Sequence, residues 1–369
     1  MTATVTGRVL GWDVLRGLCA LAVAAYHLLY WQGIAALHTF GSYGVYLFFV
    51  LSGASLAYNY QHRLNSVGEA VRFLAMRWLR LAPLYLLACI LVAAWLIAHP
   101  GPWSEGLPLR FVLNATFAFG VRDPTLWALP IGGWSVGIEF VYYLAFPLLL
   151  PLLSRRAWWI AAGLALSALQ WFWIQRTAGA PSGYAENTVA YHQVPAFATY
   201  FFGGCVIGAA RRGENPGWPQ SLGVVTWLAL AVLLLALNPL SMGSELLGAR
   251  GAVLFCACFA AVFASGQVTV GPRLAAVARW LGDVTYGCYL LHPLFFFGFA
   301  WSVWPSLTTM KIGDAPLPLR VAVLAGVLVT ACLAATASER WFEAPLRRWG
   351  KRVLQRPSGP YIDAASISS

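Results

Sequence analysis

Runs of roughly 17 to 25 apolar residues recur along this 369-residue chain from residue 9 to residue 338, each closed by charge, proline or glycine. In hydrocarbon there is no water to satisfy the backbone of such a run. It must pair its own N–H and C=O groups, which a single segment does only as a helix. The runs fall at 9–31, 41–60, 78–98, 133–153, 157–174, 194–210, 222–237, 250–267, 280–300 and 320–338. They predict an all-α polytopic integral membrane protein of about ten transmembrane helices. No polar block between them is long enough for a second core, so residues 1–350 are expected to form one membrane domain. The segment 351–369, rich in Ser, Pro and Ala from Gln355 onward, is expected to be a disordered cytoplasmic tail.

The formal net charge of +11 would point to nucleic acid in a soluble protein. Charged residues make up only 10% of this chain, against about 25% in soluble domains, so the rule that cytoplasmic loops collect Lys and Arg applies first. With a cytoplasmic N-terminus, seventeen basic residues fall in cytoplasmic segments and six fall opposite: Arg110, Arg122, Arg176, Arg250, Lys311 and Arg320. The alternation predicts that both termini are cytoplasmic, and it removes the need for a nucleic-acid partner. The first run follows Arg8 and contains small residues, as a cleaved signal would, yet it carries Asp13 and Arg16 and continues to Trp31. It reads as an uncleaved first helix. All seven cysteines lie within the runs at spacings that suggest neither a disulfide framework nor a metal site, and they are expected to be buried small hydrophobes.

An ionisable side chain at the bilayer centre costs on the order of 2.5 to 3.5 kcal/mol on insertion scales, so the few present are the first candidates for chemistry. Asp13 and Arg16 are three apart and can neutralise each other on one helical face. Arg16 and His27 are eleven apart, close to three turns, and share a face about 16 Å apart along the axis. His27 reads either as a functional imidazole or as a core histidine bonded to a neighbouring helix. Arg77 and Arg80 open the third run and suit phosphate recognition, although topology alone also calls for arginines there. Glu139 lies early in a run that starts outside, and His27 lies late in one that starts inside, so both are expected in the outer half of the membrane, able to share a site. Asp283 is placed near the cytoplasmic end of the ninth run, able to pair with a basic residue. His292 is placed near mid-depth beside Pro293 and reads as structural or pore-lining.

Taken together, these elements resemble the membrane-bound acyltransferase-3 family. The pattern of Arg, ten residues, His is met by Arg16 and His27 within Trp12-Asp13-Val14-Leu15-Arg16-Gly17. Phe-Phe-Val-Leu-Ser-Gly is met by residues 48–53, Arg-x-x-Arg by Arg77 and Arg80, and Trp-Ser-x-x-x-Glu by Trp134, Ser135 and Glu139. Tyr-Leu-x-His-Pro is met by Tyr289 to Pro293, and the closing element resembles residues 338–345. Thr285 stands where the family often has Ser, and Glu343-Ala344-Pro345 where an Arg often precedes the Pro. Each element is weak alone; six in order over residues 12–345 are specific.

The resemblance implies transfer of an acyl group, most often acetyl, from cytoplasmic acyl-CoA to a sugar hydroxyl of a surface or exported glycan, such as lipopolysaccharide O-antigen or exopolysaccharide. It implies a bacterial inner membrane and no permanently bound cofactor or metal, with acyl-CoA as donor substrate. Arg16, Arg77 and Arg80 would hold the nucleotide end of the donor. A neutral imidazole at His27 would take the hydroxyl proton, with Glu139 orienting the imidazole or the acceptor and Ser52 or Ser135 donating to the oxyanion. Asp13, Trp134, Tyr289 and His292 would support them. Direct transfer and an acyl-histidine intermediate both remain open. Many relatives carry an appended hydrolase-like domain; this chain is similar to the stand-alone members, in which the membrane domain is expected to perform the whole transfer. The competing class is a proton-coupled transporter or flippase using Arg16, His27, Glu139 and His292 as a pathway.

Overall fold

The computed structural model describes residues 7–211 and 217–354. Among them the regular structure is helical throughout, and Trp218 with Val268 forms only an isolated bridge. Eight helices are long and apolar enough to cross a membrane, with two shorter apolar ones, and the chain is a multi-pass membrane protein. In chain order these are α1 (Leu10–Trp31), α2 (His38–Tyr60), α3 (Val67–Ala98), α4 (Gly133–Leu153), α5 (Arg156–Arg176), α6 (Ala198–Ala210), α7 (Gln220–Ala236), α8 (Gly248–Gln267), α9 (Pro272–Gly298) and α10 (Leu317–Ser338). The short pair is α6 and α7. Each helix coincides with one apolar run. α6 starts at Ala198 rather than 194 because Pro195 confines the first residues to a 3₁₀ turn.

One boundary changes the placement of candidate residues. α3 begins at Val67, well before the expected 78, because Ser66 caps it by accepting from the Glu69 amide at 3.2 Å while the Glu69 carboxylate accepts from the Asn65 amide at 2.8 Å. Arg77 and Arg80 therefore lie about 15 Å and more inside α3, not at its opening. At the other end of the chain, α10 runs through a π-helical turn, Glu339–Glu343, into α11 (Ala344–Leu354). α11 passes the expected domain boundary at 350, and residues 355–369 of the predicted tail lie outside the described residues.

Burial sets out the layers. In α2, 78% of the apolar window is enclosed by protein, against 6% in α5, so α2 is central and α5 faces lipid. α2 packs against α6 through backbone contact. A Cβ on Gly53 would meet Phe201 O at 2.1 Å, and Cβ atoms on Gly204 and Gly208 would meet Val50 O and Ala54 O at the same distance. Lipid tails are as apolar as leucine, so close van der Waals approach through small residues is what joins helices here. α1 sits between α2 and α9, and α9 packs on α10. All seven cysteines are free; Cys258 is buried, but Cys256, two positions away on α8, is exposed, contrary to the expectation of burial.

Candidate active site

A cavity of about 440 Å³ lies between α1, α2, α3, α4 and α9. Its walls carry Asp13 and Arg16 from α1, Ser52 from α2, Arg77 and Arg80 from α3, Ser135 and Glu139 from α4, and Tyr289 from α9. Arg8 and Asp283 line it where their side chains are 39% and 42% exposed, so it reaches solvent at that end. Eight of the eleven site residues that the resemblance implies are thus brought to one space.

The cations of this cavity are held in different ways. Arg16 donates to Ser55 Oγ at 2.9 Å and lies 3.6 Å from Asp13 Oδ1, so its neutralising partner is the one its i−3 spacing predicts. Arg8 bonds Asp13 and, at 2.9 Å, Asp283. Arg77 donates to the Tyr60 hydroxyl at 3.0 Å, and its guanidinium lies over the rings of Tyr60, Phe73 and Tyr143 at 5.3, 5.6 and 5.9 Å. Arg347 reaches the same space from α11, bonds Glu339 and lies 3.9 Å from Glu343. Arg80 makes no hydrogen bond or salt bridge among the described residues, which leaves its fork of donors available to a ligand.

Glu139 Oε1 accepts from Ser52 Oγ at 2.8 Å and from the Tyr143 hydroxyl at 2.6 Å. Ser135 Oγ and the Tyr289 hydroxyl are 2.8 Å apart, and Tyr289 also donates to Gly132 O at 3.0 Å. Gly132 takes φ +80° as the N-cap of α4, a left-handed conformation glycine adopts without a steric penalty, and this presents its carbonyl to Tyr289.

His27 and His292 stand apart from the cavity lining. His27 Nδ1 is 3.0 Å from His292 Nε2, and Trp31 stacks on the His27 ring at 4.8 Å. The Tyr289 ring, on the cavity wall, is 6.1 Å from that of His292. Tyr289, tied to Ser135 and Gly132, therefore lies between the two groups of candidates. Glu139 lines the basic cavity and His27 does not. Trp134 also lies off the cavity, stacked on His192 at 3.8 Å. Burial pushes the His192 imidazole down to about 3, and its nitrogens meet Thr125 Oγ1 at 2.9 Å and the Tyr184 hydroxyl at 3.0 Å.

Among the cavity residues that sequence reasoning missed are Tyr143, Arg8 and Arg347. Tyr143 carried a usable signal, one helical turn after Glu139. Arg8 and Arg347 carried none, because they flank the hydrophobic segment and read as topological charge.

The acyltransferase domain family matches residues 9–338, which takes in α1 to α10 and all the charged residues of the cavity except Arg8 and Arg347. The protein is a multi-pass membrane transferase. It belongs to the acyltransferase-3 family. It is 33% identical over 175 residues to acyltransferase MdmB of Streptomyces mycarofaciens, a match covering 42% of this chain and 43% of that protein. It is 28% identical to exopolysaccharide production protein ExoZ of Rhizobium meliloti over 327 residues, 85% of this chain and 92% of ExoZ. A putative acetyltransferase, ORF330 of Acidianus two-tailed virus, is 26% identical over 76% of this chain and 81% of its own length. No solved structure matches.

Proposed function

We propose that this chain is an O-acyltransferase that moves an acetyl or related acyl group from cytoplasmic acyl-CoA to a sugar hydroxyl of an exported glycan. The observation that carries the proposal is the cavity open at one end of the bundle and walled by Arg8, Arg16, Arg77, Arg80 and Arg347, with Arg80 free for a ligand. An acyl-CoA presents several phosphates and a thin pantetheine arm, and guanidinium groups at the mouth of a narrow space suit that shape and charge. The ExoZ likeness favours a polysaccharide acceptor and the ORF330 likeness an acetyl donor.

In this reading the chain has ten spans, both termini are cytoplasmic, the cavity mouth faces the cytoplasm and the membrane is the bacterial inner membrane. The donor thioester passes Tyr289 when its contact with Ser135 opens. His27 takes the proton of the sugar hydroxyl as the oxygen attacks the thioester carbonyl, a base role that typically contributes about 10²- to 10⁴-fold. The C–S bond breaks, CoA leaves as thiolate, and His27 returns the proton to it. Glu139, held by Ser52 and Tyr143, orients the incoming groups, and Ser135 donates to the oxyanion.

The test is incubation of the purified protein in lipid nanodiscs with labelled acetyl-CoA and isolated glycan acceptors. Labelled glycan with wild type and none with His27→Ala is the expected result. Hydrolysis or transfer that persists unchanged in His27→Ala would overturn the assignment of the base.

A further inference from the structure

The half-buried His27 and the buried His292 determine each other's protonation. His292 Nδ1 lies 3.1 Å from the Cys288 carbonyl oxygen, one turn earlier on α9. A carbonyl only accepts, so Nδ1 carries the proton and donates. A neutral imidazole has one N–H, so His292 Nε2 is unprotonated and accepts. Its neighbour at 3.0 Å is His27 Nδ1, and the contact is a hydrogen bond only if His27 Nδ1 carries the proton. The single lone pair left in the pair is then on His27 Nε2.

The ring geometry fits this arrangement. The centroids are 5.2 Å apart with planes 15° from parallel, which is the spacing of two rings meeting edge to edge through one N–H···N bond. Trp31 lies against both rings, at 4.8 Å from His27 and 6.0 Å from His292, and keeps them near one plane. Among the described residues, the titratable side chains in ring contact with the pair are Tyr26 from α1, its ring 5.2 Å from His27, and Tyr289 from α9, its ring 6.1 Å from His292. Neither histidine forms an ion pair among the described residues. No carboxylate therefore stabilises a second proton on His292, and His292 is only 1% exposed.

We propose that His292 is a positioning residue for acyl transfer: it fixes His27 in the Nδ1-protonated tautomer, so that Nε2 presents its lone pair to the acceptor hydroxyl. When His27 Nε2 takes that proton, its Nδ1–H remains bonded to His292 Nε2, which shares the positive charge. A carboxylate does this for histidine in hydrolytic triads, and a neutral imidazole does it here without burying an anion in the membrane. The inference rests on His27 acting as base.

The experiment combines kinetics with nitrogen NMR on protein carrying ¹⁵N-labelled histidine in nanodiscs, with His27 assigned by its loss in His27→Ala. Wild type is expected to show His27 Nε2 as the unprotonated nitrogen. His292→Phe, which keeps a flat ring and removes the acceptor, should mix the His27 tautomers and lower kcat about 10²- to 10³-fold, with the KM for acetyl-CoA unchanged. His292→Gln, which restores an acceptor, should recover at least tenfold of that loss. An unaltered His27 signal or full kcat in His292→Phe would overturn the proposal while leaving His27 as base. A fully active His27→Ala would overturn the base assignment itself. If His292→Phe fails to insert, His292→Gln decides: a His27 tautomer unlike wild type together with full kcat refutes the coupling.

Discussion

Ser52 on α2 donates a 2.8 Å hydrogen bond to Glu139 on α4 across the wall of the basic cavity. The same oxygen accepts from Tyr143 at 2.6 Å, so Oε1 is saturated by protein donors and the carboxylate is fixed in direction. Glu139 itself lines that cavity.

Glu139→Gln keeps the shape and loses the charge. It is expected to lower kcat about 10²-fold while the protein still inserts and purifies as wild type. Ser52→Ala removes one of the two donors to the Glu139 carboxylate and should cost about 10- to 100-fold. Steady-state acyl transfer with each variant in nanodiscs checks both; equal activity in Glu139→Gln and wild type would return Glu139 to a packing role.

Arg77 and Arg80 separate by what already holds them. Arg77 is bonded to Tyr60 and covered by three rings, whereas Arg80 has no such partners. Arg80→Ala should raise the KM for acetyl-CoA about 10- to 100-fold, the equivalent of one charge-assisted bond to phosphate, with little change in melting temperature. Arg77→Ala should lower the melting temperature as well, and Arg77→Lys should not rescue it, because an ammonium does not reproduce the planar fork. Thermal unfolding and KM measured side by side distinguish the two.

The backbone contact between α2 and α6 predicts a stability effect that carries into the site. Gly204→Ala places a Cβ 2.1 Å from Val50 O, which cannot yield without moving the helix, and should destabilise by about 1 to 3 kcal/mol. Activity should fall too, since Ser52 lies on the displaced stretch of α2. Gly163→Ala on lipid-facing α5 meets nothing within 4 Å and should leave thermal stability in detergent unchanged or slightly raised.

The extent to which this structure was legible in the sequence depended on whether the signal was axial or lateral. Run length and bounding charge placed the helices, since hydrocarbon thickness fixes both. Helical spacing paired Asp13 with Arg16. The same reasoning put His27 and Glu139 at one depth and expected them to share a site, but depth says nothing of direction around a helix. Arg16 turns to Ser55 on α2, and His27 turns to His292 on α9. His292, 265 residues away from His27, read as a structural or pore-lining group beside Pro293 because no local pattern reveals its partner. The start of α3 was misplaced for a different reason: residues 67 to 77 are polar enough to end an apolar run, while Ser66 and Glu69 supply a helix start that hydropathy does not register.

His192 gives a prediction for acid pH. Its folded value, about 3, lies below the ordinary imidazole value near 6.5 because burial disfavours the charged form. A group depressed on folding contributes stability that is complete above the unfolded value and is lost as pH falls towards the folded one. Between pH 6.5 and about 3 the protein should therefore lose stability, in part because unfolding lets His192 take up a proton. His192→Phe keeps a ring against Trp134 and gives up the bonds to Thr125 and Tyr184, so it should melt lower than wild type at pH 7.5. Its melting temperature should then fall less steeply between pH 6.5 and 4.5, so that the two curves converge. Parallel curves would mean that His192 takes up no proton on unfolding in that range.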